Sequence, residues 1–86
     1  MAGYRVLIKP SAVREIEAIP QKRQRQRIVA RIECLADDPR PQGCEKLSGR
    51  EKYRVRQGVY RILYTIEDDR LVVCVVKVGH RSSVYR

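Results

Sequence analysis

Arginine and apolar side chains alternate between residues 53 and 64, and this alternation is typical of β-strands. Side chains two positions apart on a strand share one face, so Arg54 and Arg56 point the same way, and Arg61 joins them in a hairpin. The other face then carries the apolar and aromatic residues Tyr53, Val55, Tyr60, Ile62, Tyr64 and Ile66. A one-residue slip would bury all three arginines, so burial fixes the face that they occupy.

Gln57-Gly58 is the expected two-residue turn of this hairpin. With that turn, Arg56 pairs with Val59, and Arg54 pairs with Arg61. Like charges that face each other destabilise a hairpin. A small sheet that keeps three arginines on one face is therefore expected to meet a polyanion there.

The first 36 residues predict one strand and two helices. Residues 4–8 read as a short strand, and residues 12–19 as a helix with Ser11 at its N-cap and with Val13 and Ile16 facing inward. Residues 21–36 predict the longest helix, because apolar residues recur there every three or four positions: Ile28, Val29, Ile32, Leu35 and Ala36.

Residues 37–43 contain two prolines and a glycine and predict a turn-rich link. A brief edge segment at 46–49 and strands at 53–56, 59–67 and 71–78 follow, the last two joined at Asp68-Asp69. The strand at 71–78 is nearly all apolar and is expected to be central and covered on both faces. The predicted fold is a single α+β domain over residues 1–86, with two N-terminal helices packed on a small, mainly antiparallel sheet of about four strands.

The chain is strongly basic, with 19 Lys and Arg against 10 Asp and Glu and a formal charge of +9. Such an excess attracts nucleic acid or an acidic protein. The three cysteines fit no metal-binding spacing and read as reduced thiols. We expect no metal, no cofactor and no membrane segment, and we expect a cytoplasmic location.

Arginines suit one chemistry in particular, the cleavage of RNA by its own 2′-hydroxyl group. Guanidinium forks bind phosphate oxygens and neutralise the charge that develops on phosphorus. His80 is the only histidine, lies beside Arg81, and is a candidate general acid or base. Tyr85 is a candidate for stacking on a base or for proton donation.

Six further basic residues are candidates for RNA binding. They are Arg23, Arg25, Arg27 and Arg31 on the long helix, with Lys52 and Lys77 on the strands. A charged helix face is most often only a solvated surface, so for the helix arginines we expect backbone positioning rather than catalysis.

Two motifs in the last third of the chain resemble those of a known family. Gly58 to Tyr64 fits the pattern GxYRxxY, and Val78-Gly79-His80-Arg81 is followed by Val84-Tyr85. Together with the order of elements, they are similar to the RelE branch of the RelE/ParE toxin superfamily over essentially the whole chain.

The resemblance implies a type II toxin that enters the 30S A site of the ribosome and cuts mRNA there without a metal. It also implies a cognate, RelB-like antitoxin and contact with operator DNA only through the antitoxin complex. The family's functional positions fall on five residues of this chain: Arg54, Arg56, Arg61, Arg81 and Tyr85.

The chain departs from the best-known family pattern because Arg54 and Arg56 replace lysines, and arginine is a poor general base. Either His80 takes the proton, or the reaction depends on alignment and charge stabilisation. Two other readings remain, a ParE-like inhibitor of DNA gyrase and a degenerate module that only binds antitoxin. ParE relatives generally lack the set of Arg61, Arg81 and late tyrosine.

The antitoxin is expected to lay an apolar, partly acidic helix on the helical layer or across the basic face of the sheet. Leu63 is expected to be exposed and to contact that helix.

Overall fold

The computed structural model describes residues 3–47, 49 and 51–82 of the chain. Two helices pack on a five-stranded sheet of order β1-β5-β4-β3-β2, which confirms the predicted α+β class. The elements are β1 (Arg5–Ile8), α1 (Pro10–Glu17), α2 (Lys22–Cys34), β2 (Glu45–Lys46), β3 (Lys52–Gln57), β4 (Tyr60–Glu67) and β5 (Val72–His80).

The position of β5 differs from the prediction of a central strand. It lies between β1 and β4, parallel to β1 and antiparallel to β4, so the middle strand of the sheet is β4. Only one face of β5 is fully covered: Val73, Val75 and Val78 are buried, whereas Cys74 is partly exposed. An irregular step in the pairing with β4, between Leu63 and Tyr64, brings both Val75 and Val78 onto the covered face.

Both helices lie where the sequence placed them, with two corrections. Helix α1 begins with Pro10 in its first turn and Lys9 at the N-cap, so Ser11 is not the cap; proline fits this place because it needs no donor there. Ala12 rather than Val13 faces inward beside Ile16. In the described part of the chain, neither helix combines the length and apolar character needed to cross a bilayer.

Helix α2 buries Ile28, Ile32 and Leu35 of the predicted stripe, whereas Val29 remains 38% exposed. A stripe of residues three and four apart covers only one side of a helix, and Val29 lies about a quarter-turn away from it. The core forms between this stripe, α1 and the helix-side face of the sheet, where Val55, Ile62 and Tyr64 are buried.

The β3–β4 hairpin has a different register from the predicted one. Gln57 pairs with Tyr60, and the turn is Gly58 and Val59. Gly58 has a φ of +62°, and a type II′ turn requires such a conformation at its first central position, which glycine adopts at little cost. The register therefore shifts by two residues and keeps every side chain on its predicted face.

Tyr64 connects the core to the segment before β2. Its buried hydroxyl donates a hydrogen bond to the carbonyl oxygen of Pro39 (2.7 Å) and lies 3.1 Å from the Sγ atom of Cys44. Burial, followed by the hydrogen bond with Cys44, raises the pKa of the Tyr64 hydroxyl above its usual value. This hydroxyl holds residues 39–44 against the sheet.

A polar network, here called the Arg40 network, closes the neighbouring end of the sheet. The Arg40 guanidinium donates to both carboxylate oxygens of Asp68 (3.1 and 2.9 Å) and lies over the ring of Tyr53 at 5.1 Å. The Tyr4 hydroxyl donates to the same carboxylate at 2.6 Å. These hydrogen bonds lower the pKa of Asp68 to about 2, with the Arg40 contribution the largest.

Glu15 of α1 occupies the edge of β5 that β1 leaves open beyond Val75. Its Oε1 atom accepts a hydrogen bond from the backbone N–H of Val78 (2.9 Å), and its Oε2 atom pairs with the Nζ atom of Lys77 (3.2 Å). A side chain thus replaces a missing strand partner, because exposed edge donors otherwise require water or another chain.

Candidate nucleic-acid interface

Arg54, Arg56 and Arg61 lie on the face of the sheet opposite the helices, here called the open face. Arg56 pairs directly with Arg61, and Arg54 pairs with Leu63. The predicted common face is confirmed, although the cross-strand partners differ from the predicted ones. Paired residues on neighbouring strands have Cβ atoms about 5 Å apart, so Arg56 and Arg61 place two positive charges side by side.

Arg81 adds a fourth guanidinium group, and the four residues are here called the arginine cluster. The backbone N–H of Arg81 donates to the carbonyl oxygen of Val59 (2.8 Å), and Nη1 of Arg61 donates to the carbonyl oxygen of Arg81 (3.2 Å). Desolvation lowers the pKa of Arg61, and the charges of Arg54, Arg56 and Arg81 lower it further. The positive charges of four arginines lie close together here, and a bound anion would reduce their mutual repulsion.

Arg54 has a different environment from the other members of the cluster. Its side chain is only 12% exposed and pairs with the Glu45 carboxylate, which accepts hydrogen bonds from Nη2 and from Nε (3.1 Å). The hydrogen bond from Arg54 lowers the pKa of Glu45, as do the charges of Arg54, Arg56 and Arg61. Arg54 therefore anchors β2 to β3 in addition to contributing charge to the open face.

His80 lies apart from the arginine cluster. It pairs with Tyr60 at the end of β5, and strand alternation directs these two side chains toward the helix-side face. The two rings meet edge to face at 6.0 Å, and Nδ1 of His80 lies 2.9 Å from Oγ of Ser82. Within β5, alternation places His80 on the face opposite to that of Arg61 and its partner Gly79, and the acid or base role of His80 stays a prediction.

The two predicted lysines differ in their environments. Lys52 lies on the open face, opposite Thr65, and is half-buried. Lys77 lies opposite Leu63, and its Nζ atom is paired with Glu15, so part of its charge is already neutralised.

The helix arginines fall into three environments. Arg23 and Arg27 are exposed. Arg25 donates hydrogen bonds to the carbonyl oxygens of Ile19 and Pro20, so it stabilises the link between the helices. Arg31 is half-buried and lines a cleft near the arginine cluster.

That cleft has a volume of about 410 Å³ and opens between α2 and the edge of the sheet. Its lining residues are Arg31, Gly43, Cys44, Glu45 and Arg56. Sequence reasoning missed the contribution of residues 43–45, because the edge segment was predicted to begin at Lys46. The available signal for Glu45 was an acidic residue directly before the predicted edge segment, close enough to pair with an arginine of the next strand.

Leu63 was expected to be exposed, and this expectation is wrong. The side chain is 8% exposed, because its neighbours on the open face are the long side chains of Arg54 and Lys77. Tyr85 lies outside the described residues. Within the described residues, no group of three or more His, Cys, Asp or Glu side chains is arranged to hold a metal ion.

Comparison with known proteins agrees with this architecture. A family model described as the ParE toxin of type II toxin-antitoxin systems matches residues 6–85. The toxin RelG of Mycobacterium tuberculosis is 41% identical over 34 residues, which are 40% of this chain and 39% of that protein. The matched segment thus spans well under half of that relative.

Solved structures of RelE proteins resemble the whole fold. The RelE–RelB complex from the archaeon Pyrococcus horikoshii is similar with a TM-score of 0.81 and 28% identity, covering 93% of this chain and 97% of that one. The isolated RelE toxin of E. coli has a TM-score of 0.77 and 26% identity, covering 96% and 92%. The chain therefore belongs to the ParE toxin family of type II toxin-antitoxin systems, within the RelE/ParE superfamily.

Proposed function

We propose that this toxin is an endoribonuclease that cuts mRNA in the ribosomal A site. The observation that carries the proposal is the arginine cluster, in which Arg56, Arg61 and Arg81 converge on one end of the open face. Such a cluster favours a polyanionic ligand. The similarity to RelE toxins supports RNA as that ligand.

The chemistry uses attack by the RNA 2′-hydroxyl on the adjacent phosphorus. The 2′-oxygen loses its proton to water and forms a bond to phosphorus, the 5′-oxygen of the next nucleotide leaves and takes a proton from water, and a 2′,3′-cyclic phosphate remains on the upstream fragment. Negative charge grows on the non-bridging oxygens in the transition state, and preorganised guanidinium groups stabilise that charge. Removal of one such donor typically costs about 10²- to 10³-fold in rate.

Alignment replaces a strong general base in this proposal. His80 points to the opposite face, and the arginines remain protonated near neutrality. Holding the 2′-oxygen in line with the leaving oxygen supplies about 7 kcal/mol or more of barrier reduction. The ribosome and the arginine cluster together would impose that geometry, which explains why the enzyme would need the ribosome.

A cognate antitoxin would hold the toxin inactive in the cytoplasm. The similar archaeal structure is a complex of RelE with RelB, and a partner of that type suits this chain's charge of +9. We place the antitoxin helix against the helical layer, where Val13 and Val29 are 37% and 38% exposed, instead of at Leu63. Contact with operator DNA would come through that complex.

Inhibition of DNA gyrase is the second candidate, because the matching family model is that of ParE toxins. The arginine cluster favours the nuclease, since the ParE reading gives Arg61 and Arg81 no shared role.

Induction of the toxin followed by mapping of mRNA 5′ ends separates these candidates. We expect cuts inside translated codons that disappear when ribosomes are omitted from a purified system. Intact transcripts together with gyrase trapped on DNA would overturn the nuclease and favour the ParE reading.

A further inference from the structure

The cleft between α2 and the sheet edge contains two arginines, Arg31 and Arg56. Neither Arg31 nor Arg56 forms an ion pair within residues 3–47, 49 and 51–82. The Nε atom of Arg31 is buried and has no hydrogen-bond acceptor in that part of the chain. A buried donor without an acceptor is unfavourable, so the site favours a ligand that supplies an acceptor.

Among the described residues that line the cleft, Glu45 is the one carboxylate, and it forms an ion pair with neither of these two arginines. Oε1 of Glu45 is occupied by Nε and Nη2 of Arg54, and this contact lowers the pKa of Glu45. Arg31 and Arg56 therefore face the cleft with two positive charges against one carboxylate that is already paired.

The dimensions and position of the cleft fit a nucleotide. Its volume of about 410 Å³ lies within the usual range of about 300 to 1,000 Å³ for small-molecule sites. Arg56 belongs both to the cleft and to the arginine cluster, so the two sites adjoin. A strand of RNA on the open face would reach the cleft by passing over the end of β3.

We propose that this cleft binds a backbone phosphate and its ribose, next to the scissile link of the RNA. The inference rests on the proposed function, and it adds a second phosphate site and a direction for the RNA. Arg31 and Arg56 contact the phosphate through their guanidinium forks, and Gly43 leaves space for the ribose because a Cβ atom built there meets nothing within 4 Å.

Binding of a non-cleavable oligonucleotide tests the proposal. The probe is a single-stranded RNA of about ten nucleotides with 2′-O-methyl groups, which removes the nucleophile and makes binding independent of cleavage. Arg31→Gln should weaken binding about 10-fold at low salt and reduce the slope of log K against log salt by about 0.7. Arg14→Gln is the matched control, because it makes the same charge change at an exposed position on α1 that does not line the cleft.

Alkylation of Cys44 gives a second readout, because the cleft contains its thiol. The oligonucleotide should slow alkylation of Cys44 at least several-fold and leave Cys34, which is exposed on α2, unchanged. Equal losses in Arg31→Gln and Arg14→Gln, or an unprotected Cys44, would overturn the proposal. Protection by the antitoxin but not by the oligonucleotide would assign the cleft to an acidic protein segment and would overturn it as well.

These outcomes are independent of the cleavage assay. If the binding and alkylation results hold but mRNA remains intact, the proposed nuclease fails and the phosphate site stands. If mRNA is cut but Arg31→Gln behaves like Arg14→Gln, the phosphate site fails alone.

Discussion

Two arginines that lie near opposite ends of β4, Arg40 and Arg61, have different charged neighbours. At one end, Arg40 is bound by the Asp68 carboxylate and by the ring and hydroxyl of Tyr53. At the other end, Arg61 is surrounded by Arg54, Arg56 and Arg81, and its pKa is lowered. The residue type is the same, so the surroundings distinguish the two: Arg40, in the loop before β2, is bound to a carboxylate, whereas we propose that Arg61, on β4, meets an anion.

Among the substitutions considered, Arg61→Gln should have the largest effect, and this effect should be on the cleavage rate and not on stability. We expect the rate of mRNA cleavage on programmed ribosomes to fall about 10²- to 10³-fold, because the transition state loses a charged donor. The melting temperature should stay the same or rise, since the substitution removes repulsion. A rate within threefold of the unaltered toxin would contradict the comparison, and Arg40→Gln is the matched control for charge.

Tyr64→Phe should give the largest loss of stability. The substitution leaves the carbonyl oxygen of Pro39, next to Arg40, without its donor in a buried position. We expect the free energy of unfolding in urea to fall by about 1 to 2 kcal/mol. Tyr60→Phe is the control, since the Tyr60 hydroxyl makes no hydrogen bond in the described region and should lose little; equal losses would argue against the Pro39 contact.

Arg40→Gln should destabilise the fold and spare cleavage. The Asp68 pair is 45% and 55% exposed, so solvent weakens it, and we expect a loss of about 1 kcal/mol from the pair and the Tyr53 ring together. For a domain of this size, that loss lowers the melting temperature by about 4 to 8 °C. Arg70→Gln carries the same charge change at a 70% exposed site and should leave the melting temperature unchanged.

The pH dependence of stability should give the smallest effect. The pKa of Asp68 is lowered from 3.8 to about 2 in the folded state, so its contribution is complete above pH 3.8 and is lost as pH falls through about 2. Asp68→Asn removes this contribution, and its melting temperature should fall less steeply than that of the unaltered toxin between those values. Parallel curves in the two proteins would show that the carboxylate adds no stability.

The sequence predicted what local periodicity determines. Strand alternation placed Arg54, Arg56 and Arg61 on one face, and the three- and four-residue spacing located α2. The hairpin register also depends on the backbone conformation of the turn. The first turn residue has a positive φ, which glycine adopts at the lowest energetic cost, so Gly58 takes that position. Because the register differs from the predicted one by two residues, each side chain still lies on the face of the sheet that was predicted for it.

Contacts between residues that are distant in sequence could not be predicted from the periodicity of apolar residues. The parallel pairing of Arg5 with Val72, the Glu15 cap on β5 and the Arg40–Asp68 pair join residues distant in sequence. His80 shows the same limit, since its proximity to Arg81 along the chain gave no indication that its ring would pack edge to face against Tyr60.

The place of β5 also bears on how the toxin is made. Both of its neighbours, β1 and β4, precede it in the chain, so they cannot join into one sheet until residues 72–80 have left the translating ribosome. Arg81 comes after those residues, and the anchor that Glu15 offers has nothing to hold before then. We expect the nascent polypeptide to lack the complete sheet, and with it the assembled arginine cluster, until residues 72–81 have emerged.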